Sequence, residues 1–198
     1  MSKRIGVLFL VSGPSGSGKT TLCRRLAREG EAHYSISSTT RPAREGEVDG
    51  RDYSFLTRQE FERDIEAGQF LEHAEVHGNL YGTLKSEALE FLRRGQDVVM
   101  DIDVQGANQV RACKDPLIAA SLVDLFVMPA SEEELRERLA GRGTDSKDTI
   151  ELRMHNALEE MRHANLYTYR LISGSREDDY RRFKSLLTTE RLRVSRLA

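Results

Sequence analysis

Eight consecutive residues, Gly13-Pro14-Ser15-Gly16-Ser17-Gly18-Lys19-Thr20, fit the pattern G-x-x-x-x-G-K-[ST]. Each residue type in it has a task when a polyphosphate is the ligand. Glycines let backbone N–H groups turn inward around phosphate oxygens, and a helix that starts here adds its positive end. Lys19 can bridge the outer phosphates. Thr20, followed by Thr21, can offer a hydroxyl to Mg²⁺, a cation that keeps several waters and takes few protein ligands. The pattern therefore accounts for a bound triphosphate and is silent on which acceptor receives a phosphate.

Such a loop works only between a strand and a helix, and the flanking sequence predicts both. Gly6 to Ser12 is apolar and β-branched enough for a central strand, and Leu22 and Leu26 recur at helical spacing over Lys19 to Arg28. The opening MSKRIGVLFLVSG is too briefly apolar for a signal peptide and lacks a small-residue cleavage site, so it is read as that buried strand. Further strands are predicted at Asp97 to Ile102, ending in two acids, and at Leu122 to Val127, ending before Pro129. Asp101 thus falls at the carboxyl end of a strand, where α/β sheets place ligand-binding groups. Ser131 with Glu134, and Thr57 with Glu60, predict capping boxes, and Gly95 predicts the stop of a helix running from Leu84 to Arg94. Helical periodicity returns over Ile150 to Tyr167 and Asp178 to Arg193, around a short strand near Arg170 to Ile172. The alternation predicts an α/β fold, a parallel sheet flanked by helices.

Two stretches interrupt that rhythm. Ser35 to Thr83 holds short strand-like pieces rich in Ser, Thr, Tyr and Gly around one brief helix, and is read as an inserted substrate-binding unit. Gly141 to Asp148 is polar and glycine-punctuated, which suits a mobile lid loop between two helices. The expectation is one domain over residues 1–198, with a core of 1–33 and 87–198, an insertion of about 34–86 and a lid of about 138–153.

Four blocks outside the phosphate loop carry a specific resemblance. They are Ser37-Ser38-Thr39-Thr40-Arg41-Pro42-Ala43-Arg44 with Gly46-Glu47-Val48-Asp49-Gly50-Arg51-Asp52-Tyr53; Phe70-Leu71-Glu72 with Gly78-Asn79-Leu80-Tyr81-Gly82-Thr83; Asp101-Ile102-Asp103-Val104-Gln105-Gly106; and Arg138-Leu139-Ala140-Gly141-Arg142-Gly143-Thr144. With the loop, they make the chain resemble the guanylate kinases, nucleoside monophosphate kinases of the P-loop NTPase class, over essentially its whole length. The resemblance implies ATP-dependent phosphorylation of GMP, and of dGMP, in purine nucleotide metabolism, with Mg²⁺ as cofactor and a cytoplasmic location. It assigns the GMP phosphate to Arg41, Arg44, Tyr53 and Tyr81, and the guanine to Ser37, Glu72, Thr83 and Asp103. It also brings Arg138, Arg142 and Arg153 to the transferring phosphate beside Lys19 and Arg44, and gives Asp101 a share in holding Mg²⁺ with Thr20.

Elementary chemistry agrees with these assignments. Planar guanidinium forks suit a dianionic phosphate, and tyrosine hydroxyls add donors. The guanine edge presents N1–H and N2–H₂ donors beside an O6 acceptor, so carboxylates match the first two and a hydroxyl the third. An acceptor phosphate is already anionic, so no catalytic base is needed. The five histidines, His33, His73, His77, His155 and His163, accordingly form no triad or metal spacing.

One departure stands out. Where family members commonly carry an Asn-Asp pair near the adenine of ATP, this chain has Ile172-Ser173-Gly174-Ser175, so Ser173 and backbone groups are expected to substitute, with looser selectivity among donors. Composition excludes other classes. A net charge of −2 argues against a nucleic-acid-binding surface, no apolar run reaches the ~20 residues of a membrane helix, and Cys23 and Cys113 lack disulfide or metal spacing. A homo-oligomer is neither required nor excluded. Two other readings stay open here: a related sugar-phosphate kinase such as a ribose 1,5-bisphosphate phosphokinase, and a scaffold module that binds phosphopeptides without turnover.

Overall fold

The computed structural model describes residues 4–141 and 147–197. Its centre is a five-stranded parallel sheet in the order β2-β7-β1-β8-β9, formed by β1 (Leu8–Ser12), β2 (His33–Tyr34), β7 (Val98–Asp101), β8 (Leu122–Met128) and β9 (Tyr169–Ile172). The period of two along β1 decides the layers. Leu8 and Leu10 face one side with Val98, Met100 and Phe126; Val7, Phe9 and Val11 face the other with Val99, Leu125 and Val127. Both faces are dry because helices cover both. Helix α1 (Lys19–Arg28) contributes Leu22, Cys23 and Leu26 to the second face. There Phe9 meets Phe183 edge-on, with ring centroids 5.7 Å apart.

A smaller four-stranded sheet, order β4-β3-β6-β5, is built from β3 (Ser38–Thr39), β4 (Ser54–Phe55), β5 (Phe70–Val76) and β6 (Asn79–Leu84). Its own core is Phe61, Phe70 and Leu80, with the Phe61 and Phe70 rings stacked at 4.3 Å. Phe61 comes from α2 (Arg58–Glu66), which starts in the full capping box expected at Thr57 and Glu60. Helices α3 (Ser86–Arg93), α4 (Val104–Arg111) and α5 (Pro116–Ser121) then lie on the first face of the main sheet. The Gly95 stop is real: at φ 75° it closes α3 while its N–H donates to Leu92 O and the Gln96 N–H to Phe91 O.

The remaining helices are α6 (Glu132–Ala140), α7 (Lys147–Met161) and α8 (Arg176–Arg191), and four sequence expectations shift among them. Ser131 caps α6 by accepting from the Glu134 N–H, but no reciprocal bond completes a box, because the Glu134 carboxylate turns to Arg138 one turn on, at 2.5 Å. Lys147 and Asp148, read as loop, are already helical. Helix α7 ends at Met161 and a 3₁₀ turn covers Arg162–Leu166, because Tyr167 leaves the helix to pack on Phe126. Helix α8 begins two residues earlier than expected, where the Ser175 hydroxyl accepts from the Asp178 N–H. Among the described residues no helix is long and apolar enough to cross a membrane.

One buried carboxylate ties distant parts together. Asp97, just before β7, accepts from the Val7 N–H at 2.8 Å and from the guanidinium groups of Arg4 and Arg191, both at 2.7 Å. The edge of β1 and the end of α8 are thereby anchored beside the same strand.

Candidate active site

The site begins where β1 runs into α1. Gly13, Gly16 and Gly18 have φ of 147°, 91° and 93°, values that other residues adopt rarely. At Gly13 space matters as well, because a Cβ there would lie 2.2 Å from Val127 O. Gly18 precedes α1 without any side-chain cap, so the first N–H groups of that helix point unpaired into a cleft of about 850 Å³. Ser15, Gly16, Ser17, Gly18 and Thr21 line it on the loop side, and Arg138, Ser173 and Asp179 face them.

A second cavity, of about 340 Å³, opens on the other side of Lys19 and Thr20, and both residues belong to both cavities. The Lys19 ammonium lies 3.5 Å from Pro14 O, folded back over the loop. The Thr20 hydroxyl donates to Asp101 Oδ2 across the two parallel strands that end here. Ser37, Tyr53 and Asp103 line the second cavity further out. Two cavities that share a lysine and a threonine at a loop able to hold polyphosphate are the arrangement that group transfer between two bound molecules requires.

Beside the second cavity, which Asp103 lines, the two expected carboxylates come together. Glu72 sits on β5 and Asp103 is the N-cap of α4, where its Oδ1 accepts from the Gly106 N–H at 2.7 Å. The Gln109 side chain explains why β5 lies there. Its amide nitrogen donates to His73 O at 2.9 Å and its oxygen accepts from the His73 N–H at 3.0 Å, pinning the strand against α4. Gly106 then provides room, since a Cβ on it would stand 3.1 Å from Glu72 Oε2. Burial pushes the Glu72 carboxyl above the usual glutamate range, the Thr83 hydroxyl pulls it down by hydrogen bonding, and the Asp103 charge adds to the rise. Thr83 Oγ1 donates to Glu72 Oε1 at 2.7 Å and lies 3.2 Å from Ser37 Oγ, so Ser37, Thr83 and Glu72 form one polar row.

The expected phosphate clamp is assembled only in part. Tyr53 and Tyr81 meet edge to face at 6.2 Å, and the Arg41 guanidinium lies over Tyr53 at 5.3 Å. Both arms of the Arg41 fork are taken by Glu47, at 2.9 and 3.0 Å, and this holds the Glu47 carboxyl below its ordinary range. Arg44 gives its backbone N–H to the same carboxylate at 2.7 Å, while its side chain is exposed. Of the three lid arginines, Arg138 is at the loop, with Nη1 3.4 Å from both Gly16 O and Ser17 O. Arg153 lies on α7, and Arg142 falls outside the described residues.

Residues without an expected role also enter the site. Glu160 is seven residues after Arg153 on α7 and so on the same helical face; its half-buried carboxyl is pushed up by burial, then pulled down by Lys19 and pushed up by Asp103. Arg24 on α1 pairs with Asp52 at 3.6 Å, linking the core to the smaller sheet's loop. The helical repeat from Arg153 was the one sequence signal for Glu160. Nothing in the sequence marks the Arg24–Asp52 contact, which depends on tertiary structure.

Comparisons with known proteins converge on one family. Residues 6–190 match a family model described as guanylate kinase. The chain is 39% identical to the guanylate kinase of Clostridium tetani over 193 residues, 97% of this chain and 90% of that protein. It is 44% identical to that of Novosphingobium aromaticivorans over 194 residues, 98% and 86% of the two chains. A crystal structure of guanylate kinase from Anaplasma phagocytophilum superposes with a TM-score of 0.77 at 31% identity, covering 100% of this chain and 92% of the other.

Proposed function

The chain belongs to the guanylate kinase family, and from that premise we propose how its residues divide the work of an ATP:GMP phosphotransferase. The enzyme transfers the terminal phosphoryl group of ATP to the phosphate of GMP and releases ADP and GDP. The observation that carries the division of roles is the sharing of Lys19 and Thr20 by two cavities, one ending at Arg138 and Ser173, the other leading toward Glu72 and Asp103.

ATP occupies the larger cleft, its phosphates against the loop of residues 13–21, on the N–H groups after Pro14 and on the Lys19 ammonium. GMP enters the other cavity base first. Glu72 and Asp103 accept from the guanine N1–H and N2–H₂, and Ser37 and Thr83 supply hydroxyls. AMP reverses the pattern at N1 and lacks the amine, leaving buried acceptors unpaired at about 1–3 kcal/mol each, or about tenfold per 1.4 kcal/mol. Arg41, Arg44, Tyr53 and Tyr81 take the GMP phosphate, so Arg41 exchanges Glu47 for substrate. Arg138, Arg142 and Arg153 neutralise charge that spreads over the transferring group, and closure of a lid of about 138–153 over the acceptor unit of about 34–86 excludes water.

Mg²⁺ fits the donor set. Thr20 Oγ1 and the Asp101 carboxylate are adjacent oxygen ligands at the loop, and among the described residues no group of three or more His, Cys, Asp or Glu offers a full protein cage. Bound there by Thr20 and Asp101, the cation would offset the charge of the phosphates. Cys23 and Cys113 are free thiols and the substrates are intracellular metabolites, which supports a cytoplasmic role in purine nucleotide metabolism. Coupled assays with ATP, Mg²⁺ and each of GMP, AMP and ribose 1,5-bisphosphate test the reading. Turnover with GMP and its loss with EDTA are expected. Preference for the sugar phosphate, or no turnover with any acceptor, would reject it in favour of a sugar-phosphate kinase or a scaffold.

A further inference from the structure

We infer that Asp179, acting through the hydroxyl of Ser173, is a positioning residue for Arg138 and sets the rate of phosphoryl transfer. The inference rests on the reading above, in which Arg138 meets the transferring phosphate. Three elements converge on the point: Arg138 from α6, Ser173 from the turn after β9, and Asp179 from the first part of α8. Ser173 is 3% exposed and Asp179 5% exposed, yet both lie at the wall of the larger cleft.

The hydrogen-bond directions are forced by chemistry. A guanidinium can only donate and a carboxylate can only accept, so the single proton of the Ser173 hydroxyl goes to Asp179 Oδ2, at 3.0 Å. That leaves the hydroxyl lone pair for Arg138 Nη1, at 3.1 Å. Asp179 is itself immobilised, since the Gly174 N–H reaches its two oxygens at 2.9 and 3.1 Å. The backbone of Ser173 is fixed in turn by its N–H bond to Met128 O at 2.7 Å. Arg138 is then gripped at both ends of its guanidinium, by Ser173 on Nη1 and by Glu134 on Nη2 at 2.5 Å, over the carbonyls of Gly16 and Ser17.

A purely structural role would leave one fact unexplained. The turn is already tied to α8 by the Gly174–Asp179 bonds, so the third partner from α6 adds nothing to that tie; what it does is hold a cation against the phosphate loop. A side chain that must sit within about half an ångström of its working position gains most from such second contacts.

The experiment is a double-mutant cycle in steady-state kinetics with ATP and GMP. Ser173→Ala is expected to lower kcat about tenfold with KM for GMP unchanged within about twofold, and Ser173→Thr, which keeps a hydroxyl, to restore most of the rate. In an Arg138→Ala background, Ser173→Ala should lower kcat no further, while its effect on Tm should be the same in both backgrounds. Asp179→Asn, whose amide can donate to the hydroxyl in competition with Arg138, should reproduce the Ser173→Ala loss. Unchanged kcat in Ser173→Ala, or an equal fold-loss with and without Arg138, would overturn the inference, and unchanged kcat in Asp179→Asn would remove Asp179 from it. Should the Asp179 variant not fold, the Ser173 pair still decides. Failure of the wild-type enzyme to phosphorylate GMP would instead break the underlying functional reading.

Discussion

Glu72→Gln separates recognition from stability in a single substitution. The amide keeps the size of the side chain, and its oxygen can still accept from Thr83 Oγ1, now 2.7 Å from Glu72 Oε1. What changes is the second oxygen, Oε2, which becomes an NH₂ group facing the N–H donors of guanine. A hydrogen bond to a charged group contributes about 1.5–3 kcal/mol, so KM for GMP should rise about 10- to 100-fold at tenfold per 1.4 kcal/mol. The turnover number at saturating GMP should change far less, because Lys19 belongs to the lining of both cavities and Glu72 to neither.

Stability should move the opposite way. Burial and the Asp103 charge raise the Glu72 carboxyl pKa, so the folded protein holds that proton more tightly than the unfolded chain does. The ionised carboxylate therefore costs the native state its full penalty above the raised pKa, and the penalty vanishes below the ordinary glutamate value. At pH 7 the neutral amide avoids it, and Tm of the ligand-free variant should rise. Kinetics with GMP varied at saturating ATP, together with thermal denaturation without ligand, measure both quantities. An unaltered KM would place the base elsewhere. A fall in Tm would mean that Glu72 is a structural acid satisfied by Thr83, which would refute the account of why its pKa is raised.

The same shift predicts a pH dependence: KM for GMP should climb as pH falls through a value above the ordinary glutamate range, and the climb should be absent from Glu72→Gln, as a pH series of kcat/KM would show. Lys19→Ala should lower kcat by roughly 10²–10³-fold with an unchanged far-UV circular dichroism spectrum; wild-type turnover would remove the lysine from the phosphate site. Asp97→Ala should destabilise the fold by about 1–3 kcal/mol in urea titrations, because it leaves the buried Val7 N–H without its acceptor and takes the carboxylate from Arg4, while Arg191 keeps Glu31. A loss under about 1 kcal/mol there would show that the Val7 N–H and Arg4 find solvent instead.

What could be read from the chain was local. The strand read over Gly6 to Ser12 and the phosphate loop that follows it to Thr20 are fifteen consecutive residues, and both motif and period survive without tertiary help. The strands His33–Tyr34, Ser38–Thr39 and Ser54–Phe55 have two residues each, too few for any period, and they exist because neighbouring strands lend them hydrogen bonds. Position 134 shows the same limit on a smaller scale. Its spacing from Ser131 suits a capping box equally well as it suits an ion pair with Arg138, and only the fold, which needs Arg138 held over Gly16 and Ser17, separates the two. Gln109 carried no motif at all, yet it decides where Glu72 stands.

In the proposed division of roles, that placement gives the acceptor one direction of binding. Asp103 lines the second cavity, Glu72 stands near it on a hydrogen bond from Thr83, and Gly106 lets the Glu72 carboxylate approach α4 without a collision. Lys19, next to the helix N-terminus of α1, brings positive charge to the same cavity beside Thr20 and Asp101. A nucleoside monophosphate carries the matching gradient, hydrogen donors on the guanine edge and a dianion on the sugar. Reversed, it would press that dianion against two carboxylates. Each charge alone is an ordinary feature of an enzyme; in the proposed division of roles, the base-facing acids and Lys19 together turn recognition of the base into alignment of the phosphate for transfer.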